Sequence, residues 1–156
     1  MKMGFYKTLE IEYTLDDFSE NNFGMEESKS KCYELKADSI IFHRLYDYSL
    51  LSINLEKDLV LSNYLQKINN YINWLGKKSK IIFNNFYNKK INFNNDDADF
   101  YTTFDCISLF INIDKSGNIN TSITGLDAGN GWIHNEINLE DKTIISWEAG
   151  VNKYEK

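Results

Sequence analysis

Proline is missing altogether from this 156-residue chain, and arginine occurs once, as Arg44. Asn, Ile, Lys, Tyr and Phe are abundant instead. These are residues of AT-rich codons, so the bias reads as genomic rather than mechanical. A single arginine nearly removes planar, bidentate recognition of phosphate from the repertoire. Cysteine is also scarce. Cys32 and Cys106 are too few for a disulfide scaffold and stand in no CxxC pair, so both are expected to be small buried thiols. No apolar run approaches the roughly 18 residues that a membrane span requires. Met1 to Leu15 lacks a signal-peptide core, and the expectation is a cytoplasmic protein without a membrane partner.

Hydrophobic residues make up 42% and aromatics 15%, which excludes a disordered chain. The length suits one domain, residues 1–156, able to bury about 70% of its unfolded surface. The net charge of −6 is unevenly spread. Thr8 to Ser28 holds Glu10, Glu12, Asp16, Asp17, Glu20, Glu26 and Glu27 without a lysine. Lys57 to Lys90 carries seven lysines against Asp58, and Ile91 to Asp114 adds five acids and no lysine. Segregated acidic stretches either are solvated surface or attract a basic partner.

Period-two alternation predicts a strand over Tyr6–Leu15, with Leu9, Ile11, Tyr13 and Leu15 on its buried side. An acidic loop with a helical turn after Asp16 follows. Strands are expected at Cys32–Ala37, near Ile40–Arg44, and from Tyr48 through Glu56, together a small antiparallel meander. Leu61, Leu65, Ile68, Ile72, Leu75, Ile82 and Phe86 then fall three and four apart, interrupted only at Ser79. They predict an amphipathic helix over about 60–87, long or broken at Gly76, with Lys67, Asn70, Lys77 and Asn84 facing solvent. Ile107, Leu109, Ile111 and Ile113 predict a strand. Because Cys106 and Phe110 are apolar too, it is expected to be central and covered on both faces. Asp114 to Gly117 signals a turn, Asn118–Thr124 a return strand, Gly125–Gly131 a loop, and Trp132–Leu139 with Thr143–Glu148 a last hairpin. The fold class is α+β: an antiparallel sheet of about six to seven strands with the helix packed on it.

Motifs that carry chemistry are missing. His43 and His134 form no HExxH, HxH or His-Cys pair. Asp114, Ser116 and Asn118 alternate like a calcium loop, but Gly117 is the fourth residue where such a loop needs the sixth. The glycine-rich Gly125–Gly131 runs into Trp132 and a strand rather than a helix, with Asp127 where a phosphate loop brings a lysine. Tyr64, Tyr71 and Trp74 interleave with lysines yet sit beside the apolar stripe, and the chain is acidic, which argues against nucleic acid. No cofactor and no metal site is expected.

The second half resembles the immunity proteins of bacterial polymorphic-toxin and contact-dependent inhibition systems. The resemblance rests on the alternating Ile107 to Ile113, the Asp114-Lys115-Ser116-Gly117 turn, Asn118-Ile119, then Trp132 and Thr143 to Trp147. It implies stoichiometric binding of a cognate toxin, often a nuclease and basic, by a surface without catalysis. The residues expected to meet that partner are Glu20, Glu26, Glu27, Asp96, Asp97, Asp99 and Trp132, on a monomer or homodimer. Two rival expectations stand beside it. One is an enzyme with a site assembled from His134, Asp127, Cys106 or Glu136. The other is a structural or regulatory subunit dimerising through aromatic surface.

Overall fold

Tyr13 shows how this chain departs from its own periodicity. In the computed structural model, which describes residues 11–21, 30–48, 50–92 and 96–150, the Tyr13 backbone is held by a side chain rather than by a strand. Asn69 Oδ1 accepts from the Tyr13 N–H (2.7 Å), and Asn69 Nδ2 donates to the Tyr13 carbonyl (2.9 Å). Asp17 accepts the Thr14 N–H (2.8 Å) and closes a 3₁₀ turn over Leu15–Asp17. The expected strand Tyr6–Leu15 is therefore corrected over residues 11–15, and its first half lies outside the described residues. An amide that satisfies both backbone groups leaves nothing for a ladder to satisfy. The first strand is β1 (Phe18–Glu20), antiparallel to β2 (Ser30–Leu35).

The meander breaks down next. β3 (Ser39–Ile41) and β4 (Arg44–Tyr46) form a separate two-stranded sheet, closed by a two-residue turn at Phe42-His43. Both turn residues adopt positive φ (52° and 63°), as the twist of a two-residue hairpin demands, although neither is glycine. β5 (Leu51–Glu56) returns to pair with β2.

The helix predicted over 60–87 is broken. α1 (Leu61–Asn73) runs into a π turn (Trp74–Lys78), and α2 (Lys80–Lys90) follows. The wide turn takes in one extra residue and rotates everything beyond it. Up to Leu75 the apolar stripe is buried as spaced, apart from a half-buried Leu65. Beyond the turn Phe83 and Tyr87 are the buried residues, whereas Ile82 is 39% exposed and Phe86 half-buried. Ser79, the apparent interruption, is fully buried and donates to the Leu75 carbonyl (3.0 Å). Carbonyls opened by the turn hold the β3–β4 hairpin: His43 N–H donates to Gly76 O (2.6 Å), and His43 Nε2 lies 3.1 Å from Lys77 O.

A short α3 (Phe100–Thr103) leads into β6 (Phe104–Ile113), followed by β7 (Ile119–Asp127), β8 (Ile133–Glu140) and β9 (Thr143–Ala149). The main sheet has seven strands in the order β1-β2-β5-β6-β7-β8-β9. It is mixed rather than antiparallel: β5 and β6, joined through the helices, are parallel, the arrangement that a strand–helix–strand crossover between neighbours requires. The helices cover one face. There Phe100 meets the rings of Phe42, Phe83, Tyr87, Phe104 and Trp147 at centroid distances of 4.6–6.1 Å. Among the described residues no helix is long and apolar enough to cross a membrane.

Candidate functional site: the uncovered face of the sheet

β6 lies at the centre of the sheet, but the expectation that both its faces are covered fails. Leu109, Ile111 and Ile113 point into the core with at most 1% exposure. Phe110 on the other side is 40% exposed. A register shift between Cys106 and Ser108 turns Ile107 outward as well, to 54% exposure. The alternate positions of the neighbouring strands share this open face with Phe110.

The ladder registers show what surrounds it. Phe110 stands between Ser52 and Ser122, and Ser122 stands beside Asn138 and then Ser146. These side chains bond across the strands: Ser122 Oγ to Asn138 Oδ1 (2.9 Å), Asn138 Nδ2 to Ser146 Oγ (3.0 Å), and Asn54 Nδ2 to Asn112 Oδ1 (2.7 Å). The Ser108 and Thr124 hydroxyls bond likewise. These bonds tie the polar side chains of the open face to one another across the strands.

Around that centre lie Glu34, Glu56, Asp105, Glu136, Glu140 and Glu148. No described strand position on this face carries lysine or arginine. Six carboxylates ringing an apolar centre match the rim-and-core layout of a protein interface. Coulomb attraction for a basic partner adds over such a face because its charges share one sign.

The residues singled out from sequence do not converge. Glu20 lies on β1 in register with Tyr33 and hence on the helix side, and it accepts a hydrogen bond from the Tyr33 hydroxyl. Asp96 and Asp97 are exposed beyond α2. Asp99 is structural: it caps α3 by accepting the Tyr101 N–H (3.1 Å), and it pairs with Lys80 at 3.1 Å. Burial opposes its charge, but hydrogen bonds from Asn84 and Lys80 outweigh that and hold the carboxyl below its ordinary range. Asn84, expected to face solvent, is half-buried and accepts the Phe100 N–H (2.7 Å). Trp132 is 59% exposed, at positive φ (60°), in the β7–β8 connection. Glu26 and Glu27 lie outside the described residues. Glu56 and Glu136 are polar partners of the strand alternation, whereas Phe110, expected to be covered, is 40% exposed.

The candidates for an assembled enzyme site are dispersed. Cys106 is 4% exposed, and burial pushes its thiol well up. Cys32, expected buried, is half-buried. His134 and Glu136 stand on the open sheet face. Asp127 is fully buried, accepting from the Tyr87 hydroxyl (2.5 Å) and the Gly129 N–H (3.0 Å). Burial, and then that carboxylate, raise the Tyr87 hydroxyl far above its ordinary value. This pair ties α2 to the end of β7. Asp127→Ala strands the buried Tyr87 hydroxyl and uncaps the exposed Gly129 N–H, and is expected to lower stability by about 1–3 kcal/mol in urea unfolding. An unchanged midpoint would show that the pair holds nothing.

A cleft of about 620 Å³ between the β6–β7 and β8–β9 turns is lined by Lys67, Asp114, Asn118 and Glu140 among others. It holds neither histidine nor cysteine. Among the described residues no group of three or more His, Cys, Asp or Glu is placed to hold a metal ion. Compared with protein-family models, curated proteins and solved structures, the chain matches none.

Proposed function

We propose that this chain is a stoichiometric binding protein that neutralises a basic protein by occluding it with the open face of its sheet. In keeping with the resemblance in its second half, the partner proposed is a bacterial toxin and the setting the cytoplasm of the producing cell. One observation carries the proposal: six carboxylates share with Ile107 and Phe110 a face that no described helix covers and whose described strand positions carry no lysine or arginine. A nuclease toxin suits such a face, since a cleft built for phosphates is rich in lysine and arginine. Binding by occlusion needs a pre-ordered surface and no catalytic group, and the cross-strand bonds of Asn54, Ser122 and Asn138 supply that order.

The test begins with the toxin encoded beside this chain in its genome, co-expressed with it in cells that the toxin alone would kill. Survival is expected. Combined reversal Glu34→Lys, Glu136→Lys and Glu148→Lys is expected to slow association at low salt at least tenfold while leaving thermal unfolding unchanged. Asp96→Lys with Asp97→Lys is the control for the acidic loop. Slowing by the loop variant alone would move the interface there. Rates indifferent to both variants at low salt, or death despite co-expression, would end the proposal.

A further inference from the structure

The helix layer is the electrostatic opposite of the open sheet. Residues 61–90 contain Lys67, Lys77, Lys78, Lys80, Lys89 and Lys90 and not one Asp or Glu. The outward stripe of α2 and the turn before it reads Lys78, Ile81, Ile82, Asn85, Lys89, all exposed, at three-and-four spacing. Ile81 is 74% exposed, and the extra residue of the π turn brings Ile82 out beside it. The stripe thus has an apolar centre with a cation at each end.

We propose that this stripe of one copy docks across the strands on the open sheet face of a second copy. The dimensions agree. Lys78 and Lys89 are eleven residues apart, about 16 Å along a helix. Glu34 on β2 and Glu136 on β8 are separated by four strand spacings, about 19 Å, with Phe110 and Ile107 of β6 midway. Ile81 and Ile82 meet Phe110 and Ile107 while the lysine stems reach to the two glutamates. Charges at the ends and apolar residues at the centre match in position as well as sign. Two features limit the strength of the contact. Asp96 and Asp97 stand beyond α2 with Asp99 holding Lys80, and the chain as a whole carries −6. The contact is weak, short-ranged and salt-sensitive. It is also heterologous, so a pair of copies keeps one free face of each kind and association is open-ended. It goes beyond the toxin proposal and holds or fails without any toxin present.

Sedimentation equilibrium of the full chain provides the test. At low salt the average mass is expected to rise with concentration above 18.3 kDa without levelling at two chains, and to return to that value in high salt. Glu34→Gln with Glu136→Gln, and Lys78→Gln with Lys89→Gln, are each expected to stay monomeric. Mixed, they pair through the one intact face of each and stop at two chains. Ile81→Asp should behave as the lysine variant does, pairing only with the glutamate variant. A wild type monomeric throughout, or a dimer that levels at two chains and persists in either variant alone, would overturn the proposal.

Discussion

Phe100→Ala is expected to lower unfolding stability by about 3–5 kcal/mol, the range for emptying a buried phenylalanine site. The ring is fully buried and packs on Phe42, Phe83, Tyr87, Phe104 and Trp147, which come from the hairpin turn, α2, β6 and β9. The neighbouring rings are fixed by separate elements and by one another, so they close on the gap only in part. Against a total stability of about 5–15 kcal/mol, the loss is between a fifth and nearly all. In thermal unfolding it should appear as a midpoint lower by roughly 10–15 °C. Phe100→Leu refills much of the volume and should cost clearly less. A loss below about 1 kcal/mol for the alanine would mean that the aromatic nest does not join these elements.

The second large effect is one of sign. Gly→Ala inside a helix ordinarily stabilises by up to about 1 kcal/mol. At Gly76 a Cβ would lie 2.2 Å from the Ile40 carbonyl oxygen and 3.0 Å from its carbon, both backbone atoms. The β3–β4 hairpin must then withdraw from the π turn. Withdrawal breaks the bonds from Phe42 N–H and His43 N–H to Leu75 O and Gly76 O and pulls the Phe42 ring from the nest. Gly76→Ala is therefore expected to destabilise by about 3–5 kcal/mol in urea unfolding. A neutral or stabilising result would show that hairpin and helix are not in contact as described.

Much of the second half was legible because local chemistry and long-range packing agree there. Asp114 to Gly117 reads as a turn, and Asp114 Oδ1 does accept the N–H groups of Ser116 and Asn118 (2.9 Å each), with Gly117 at positive φ. The helical stripe was legible up to Leu75 and then out of phase by one residue, because a π turn adds a residue without any composition to announce it. The N-terminal segment was misread for a different reason. Ile11 and Tyr13 alternate as a strand does, but Asn73 donates to the Ile11 carbonyl and Asn69, 56 positions from Tyr13, holds both Tyr13 backbone groups, and neither asparagine has a motif of its own. The site divides similarly. Acidity and the lack of catalytic motifs were plain, yet the gathering of Glu34, Asp105 and Glu136 on one face depends on strand order, and order includes a crossover that alternation cannot reveal.

That crossover also governs how the chain reaches its native state. β5 pairs with β6 across 58 positions, whereas β6 to β9 pair consecutively through short hairpins. Closing the long loop brings an entropic penalty that local hairpins escape. During synthesis β2 and β5 emerge before the strand that must receive them. The C-terminal meander is thus expected to order first and the N-terminal strands to join it last, an order that pulse-labelled hydrogen exchange during refolding would check. Until they do, the growing polypeptide displays an unsatisfied sheet edge, and its vulnerability to misassembly is concentrated in that interval.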